Sequence, residues 1–162
     1  LVETIRKLAT KNTRHPLLTA DAQGSLEKYT GFALVKCNAD EARAYLRRDL
    51  LSDADFAAGA IELCKALRLT GAMVITRGGD GATLALADGA TTHCPAPEVT
   101  DVYDTVGAGD TAIAVLTLAV AAGISYSDAV MLANYASGIV VRRVGNYTPS
   151  LDELTQAITN GF

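Results

Sequence analysis

The sequence has no basic cluster. Its 14 Lys and Arg residues are scattered among 18 Asp and Glu, for a formal net charge of −4, whereas a nucleic-acid surface would need basic side chains gathered on one face. It has no apolar run long enough for a bilayer either. The longest strongly hydrophobic stretch, 112–124, falls short of the ~20 residues of a spanning helix and reads as a buried helix. Neither a nucleic acid nor a membrane is therefore expected as a partner. Cysteine is scarce: Cys37, Cys64 and Cys94 are widely spaced, odd in number and form no C-x-x-C. That pattern favours reduced thiols in a cytoplasmic protein over a metal or disulfide role. The opening LVETIRKL carries no initiator Met, charged n-region or cleavage site, so no secretory signal is expected. Internal repeats and low-complexity segments are absent as well.

What remains is 162 residues, 49% hydrophobic and 20% charged, enough for one globular domain with a real core. Apolar Leu1, Ile5 and Leu8 fall on one face of a helix over 1–13. HPLLTAD then reads as a short strand ending near Asp21, and FALVKC as a second, Phe32 to Cys37; continuous apolar runs suit strands covered on both faces. Asn38 starts a short helix toward Arg47, and Ser52 caps a longer one that ends before Gly71. AMVIT, Ala72 to Thr76, is a third buried strand. ATLALA and ATTHCP flank Asp88-Gly89, a strong hairpin signal. A helix runs from Gly109 to about Ala122, another from Ser127 to about Arg143, and SLDE at 150–153 is a capping box opening a last helix that Gly161 ends. Strand–helix–strand units, a hairpin and three helices predict a layered α/β fold with a partly parallel sheet. The first helix has no strand before it, so the chain is expected to be the later part of a larger domain.

The chemistry-bearing stretch is DTVGAGDTA, 104–112. Gly107-x-Gly109-x-x-Ala112 formally satisfies the dinucleotide pattern. The preceding EVTDVYDTV, however, carries Glu98, Asp101 and Asp104, poor material for a central parallel strand, and Asp128 falls in an interhelical turn rather than at a strand end. A Walker A loop is excluded because the chain has no Gly-Lys pair. Two readings stay open. Asp110 could simply complement the dipole at a helix start. Alternatively, two glycines one residue apart let several N–H groups face an anion at that helix N-terminus. A carboxylate beside an anion hole is unfavourable unless it handles a proton or a metal, and that tension favours function.

DTVGAGDTAIAVL resembles the signature of the ribokinase-like (PfkB) carbohydrate kinases, D-T-x-G-A-G-D followed by a helix. In the same order, NADE at 38–41 resembles the family's N-x-x-E, TRGGDG at 76–81 its T-x-G-x-x-G nucleotide loop, and LANYASGIVVRRVG at 132–145 the helix beside the adenine. ADAQGSLEKYTGFALVKCNADE and DVYDTVGAGDT are most similar to bacterial D-glycero-β-D-manno-heptose 7-phosphate kinases of ADP-heptose synthesis. The resemblance spans nearly the whole chain. It implies a three-layer α/β/α ribokinase-like fold, represented by residues 1–162 as its C-terminal, nucleotide-binding and catalytic half, with the sugar-binding and lid half absent.

Several roles are implied by that resemblance. Asp110 takes the proton of the attacking sugar hydroxyl, and the N–H groups of Gly107, Ala108 and Gly109 hold the charge on the transferred phosphoryl group. Asn38 and Glu41 organise magnesium and its waters, although N-x-x-E is also a helix-capping pattern. Thr76, Gly78, Gly79 and Gly81 lie under the nucleotide or merely turn the chain; Asn134 lies beside the adenine or on the surface. His15 and His93 read as strand-edge residues, Tyr103 and Tyr135 as packing. The implied ligands are ATP, Mg²⁺, a sugar or sugar phosphate and, as an option, a monovalent cation. The activity is phosphoryl transfer, with a nucleotide-binding module without turnover, or another sugar kinase of the ribokinase or fructokinase type, as alternatives. Self-association, or association with the missing half, is expected. The chain departs from the family at Val106, where a hydroxyl residue is usual, at Ala22-Gln23, where heptose kinases carry Pro-Lys, and at Arg142, Arg143 and Asn146 near the monovalent-cation stretch.

Overall fold

Strand residues of alternating destination organise the molecule, a computed structural model that describes residues 1–11 and 16–162. The first helix, α1 (Val2–Lys11), buries none of its residues; positions 12 and 13 of its expected span, and His15, lie outside the described residues. Five strands follow: β1 (Thr19–Asp21), β2 (Leu34–Asn38), β3 (Ala72–Thr76), β4 (Ala82–Leu86) and β5 (Thr91–Cys94). They form one sheet in that order, with β1, β2 and β3 parallel and β4 and β5 added antiparallel. The Asp88-Gly89 hairpin forms as expected: Gly89 takes φ 93°, and the Asp88 carboxylate accepts the Ala90 N–H at 2.9 Å.

Between β2 and β3 lie α2 (Ala39–Leu46) and α3 (Asp53–Ala66); after β5 come α4 (Ala108–Ala121), α5 (Tyr126–Val140) and α6 (Leu151–Asn160). The period of two in a strand sends alternate side chains to opposite faces. Val35, Cys37, Met73 and Ile75 meet Phe56, Ala60, Leu63 and Leu67 in one core layer. Leu34, Ala72, Val74 and Leu84 meet Ala112, Leu116, Ala129 and Ala133 of α4 and α5 in the other. The result is the expected α/β/α sandwich, a mixed sheet between two helical layers.

Capping boxes start three helices, through Asn38–Glu41, Ser52–Asp55 and Ser150–Glu153. The Glu153 carboxyl is held down at about 2, first by the Ser150 N–H and then by the Tyr147 hydroxyl. One boundary differs from expectation: α5 stops at Val140 rather than near Arg143. The carbonyl of Val141 instead accepts the N–H groups of Tyr103 (2.8 Å) and Asp104 (3.2 Å), while Arg142 and Arg143 tighten into i→i−3 bonds. The same crossing turns the Tyr103 side chain outward, 67% exposed, so it does not pack as expected. Tyr135 does pack, stacked on Phe162 at 6.1 Å. All three cysteines are free and buried; burial pushes the Cys37 thiol far above its usual range, as expected of an inert group. Among the described residues no helix is long and apolar enough to cross a membrane.

Candidate active site

Parallel strands end together, and open α/β sheets bind ligands beyond those carboxyl ends. Here Asp21, Asn38 and Thr76 close β1, β2 and β3 on one edge of the sheet, with Asn38 registered against Thr76. The N-terminus of α4 lies over the same edge: a Cβ built on Gly109 would stand 3.4 Å from both Asp21 Oδ2 and Lys36 Nζ.

Between these elements opens a cleft of about 640 Å³. It gathers Thr76, Gly78, Gly79 and Gly81 from the loop after β3, Ala108 and Gly109 from the start of α4, and Asn134 from α5. Three separate motifs of the sequence thus line one cavity. Gly107 and Asp110 adjoin its lining residues in the chain. Asn38 lines a second cleft of about 500 Å³ on the far side of the same loop, where Thr76 and Gly78 form the shared wall. Glu41 lines neither.

The α4 terminus has the form an anion site requires. Gly107 adopts φ 80° as N-cap, a left-handed conformation natural to glycine, with no side-chain cap. Thr111 donates the first helical bond, to the Gly107 carbonyl at 2.9 Å, and Ala108 donates a long bond of 3.3 Å to Thr105. Among the described residues the N–H groups of Gly107, Gly109 and Asp110 have no partner. These donors are therefore free, whereas the Ala108 N–H, expected to share in holding the phosphoryl charge, is taken by the Thr105 carbonyl. Asp110 is exposed and its carboxylate makes no hydrogen bond among the described residues.

Asp104 holds this loop from behind. Its Oδ1 accepts the Val106 N–H at 3.0 Å and its Oδ2 the Gly145 N–H at 2.9 Å. These bonds hold the Asp104 carboxyl below the usual range, Val106 contributing most. They tie the glycine loop to the turn after α5. Ser137 adds a 3.1 Å bond to the Ala108 carbonyl.

Other predicted residues carry more structure than the motifs alone reveal. Asn38 and Glu41 form a reciprocal capping box: each side chain accepts the other's backbone N–H at 2.8 Å. This leaves Glu41 Oε1 without a partner among the described residues. Asn134 is half-buried rather than a surface residue; its amide donates to the carbonyls of Cys94 (3.0 Å) and Pro95 (3.1 Å), joining α5 to the strand exit. His93 is exposed on β5, its Nδ1 accepting from Arg77 at 3.3 Å. Arg77 itself lies over the Phe56 ring at 4.2 Å and pairs with Asp53 at 2.7 Å, which draws the Asp53 carboxyl down.

Motif reading misses Lys36. It is 4% exposed, lines the main cleft, and pairs with Asp21 at 2.7 Å. The available signal was a cation inside an otherwise apolar strand, with a carboxylate at the equivalent end of the strand before it.

Residues 1–153 match the family described as pfkB family carbohydrate kinase. The bifunctional protein HldE of Caulobacter vibrioides is 40% identical over 148 residues, covering 91% of this chain and 30% of that protein. Among solved structures, Arabidopsis thaliana ribokinase complexed with ribose and ATP superposes with a TM-score of 0.84 at 16% identity, covering 98% of this chain and 53% of that one. Escherichia coli phosphofructokinase-2 in complex with potassium gives 0.80 at 22% identity, covering 96% and 51%. The chain therefore spans about half the length of these solved structures and less than a third of HldE. On the match over nearly all its residues, the chain belongs to the pfkB family of carbohydrate kinases.

Proposed function

We propose that this chain is the nucleotide-binding and catalytic half of an ATP-dependent sugar or sugar-phosphate kinase of the heptose 7-phosphate kinase type. The observation that carries the reading is the free amide crown at the α4 N-terminus, opening on a cleft lined by the Thr76–Gly81 loop and Asn134, with an unengaged carboxylate at Asp110. In this reading the nucleotide lies along the glycine loop with its phosphates toward Gly107 and Gly109. Phosphoryl transfer asks the protein mainly to position reactants and neutralise charge. In this reading the unpartnered N–H groups do the second, because donors fixed by the helix start need no reorganisation to receive the phosphate. Asp110 removes the proton from the attacking sugar hydroxyl.

Magnesium fits the residues present. It prefers hard oxygens and keeps several waters, so Glu41 Oε1 and Asn38, beside the second cleft across the glycine loop, would hold it through water rather than directly. When bound it screens the phosphate charge. A monovalent cation fits less well: Asp104, the carboxylate bonded to the turn after α5, already accepts an N–H group at each oxygen.

A second reading concerns the chain at its present length, about half that of the solved neighbours. In that reading the chain binds nucleotide through the α4 amides and the glycine loop without turning over a sugar, Asp110 being exposed. Calorimetry with ATP and magnesium, beside a kinase assay on the same preparation, separates the two. Binding without sugar phosphorylation supports the module and robust phosphorylation supports the kinase, whereas absence of binding overturns both. Association of the chain with itself or with a complementary half belongs to the same proposal, supported by the exposed Leu1, Leu8 and Val102.

A further inference from the structure

The geometry points to Lys36 as a phosphate-binding residue of the cleft, charged and aimed by Asp21; this rests on the nucleotide reading above. Asp21 and Lys36 are register partners on adjacent parallel strands, so their side chains share the face that looks toward α4. The ammonium is 5% exposed and its carboxylate partner 17%, with 2.7 Å between them. Burying two charges costs more than an apolar pair of similar volume would, and such a pair is weak evidence for stability alone. Lysine has three donors. Asp21 takes one, and no second partner is present among the described residues. The remaining donors belong to an ammonium that lines the cleft and sits 3.4 Å from the position of a Gly109 Cβ. An anion held by the free Gly109 amide would therefore reach the unused donors of this ammonium as well as the helix terminus, while Asp21 Oδ2, also 3.4 Å from that Cβ position, stays engaged with Lys36.

The pair also explains why the ammonium stays in place before the anion arrives. The carboxylate fixes its position from the sheet side, so the contact is preorganised rather than recruited from solvent. Asp21 is in this account a positioning residue and Lys36 the ligand.

The test uses calorimetry on this chain with ATP, ADP and adenosine as probes. In the double variant Asp21→Asn/Lys36→Gln, which keeps a neutral hydrogen-bonding pair of similar volume, ATP affinity is expected to fall by at least tenfold. Adenosine affinity should hold within twofold, with the circular dichroism of the parent retained. Asp21→Asn alone keeps the ammonium and is expected to retain or tighten ATP binding. A purely structural pair predicts instead that both variants move ATP and adenosine alike. That result, or a double variant that binds ATP as the parent does, overturns the assignment while leaving the nucleotide reading intact. A parent chain that binds none of the three probes overturns both. Should the double variant fail to fold, Asp21→Asn decides alone: ATP binding lost in step with adenosine overturns the assignment, and ATP binding retained supports it.

Discussion

Asp110→Asn, made in the full-length protein, is expected to lower kcat by roughly 10²–10⁴-fold, the usual worth of a positioned general base, with the KM for ATP little changed. The variant is informative because its two explanations pull apart. Asp110 is the third residue of α4, where a negative charge is favourable to the helix dipole. If that were its whole role, the substitution would cost about 0.3–1 kcal/mol of stability and leave turnover alone. The exposed carboxylate, without a hydrogen-bond partner among the described residues, argues the other way. Steady-state kinetics and a urea titration of the same preparation separate the cases. Near-parental kcat with lowered stability would reduce Asp110 to a helix-start carboxylate.

Gly81→Ala is expected to destabilise the fold by roughly 3 kcal/mol or more, combining a backbone region reserved for glycine with overpacking. Gly81 sits at φ 83° and ψ −131°, and a Cβ there would lie 2.2 Å from the Cys94 carbonyl oxygen and 2.5 Å from the Ala96 nitrogen. Backbone cannot swing aside as a side chain can. The neighbouring Gly79 is the matched control: a Cβ there meets nothing within 4 Å, so Gly79→Ala should stay within about 0.5 kcal/mol of the parent. Urea unfolding of both reads the difference directly. Equal midpoints would mean that the loop does not press on the β5 exit as described.

This contrast shows what motif reading conveys and what it hides. The glycines of TRGGDG look equivalent as a pattern, yet Gly81 is required by the strand exit packed against it while Gly79 borders open space. Elements bounded by local chemistry were legible. AMVIT is an apolar run of β-branched character ending at a glycine loop, and Ser150–Glu153 closes its own capping box. The end of α5 was not legible, because a segment some forty positions away in sequence takes the Val141 carbonyl. The motifs lie far apart in sequence, yet seven of the predicted site residues, from three of them, line one cleft. Asn38 and Glu41 illustrate the converse. Their spacing served a helix cap as readily as a metal, and the cap is what their hydrogen bonds form. Lys36 escaped notice because a single charge in FALVKC has no periodicity of its own. Only the parallel register that sets it beside Asp21 gives it meaning.

The central claim is that the amides at the start of α4 receive the phosphates of ATP. The most direct measurement is an amide-resolved NMR titration of this chain with ATP and magnesium. The account predicts that the resonances of Gly107, Gly109 and Asp110 shift together and saturate with the same affinity as those of Gly78 and Gly79. Shifts confined to other parts of the surface, with those three amides unmoved at saturation, would contradict it.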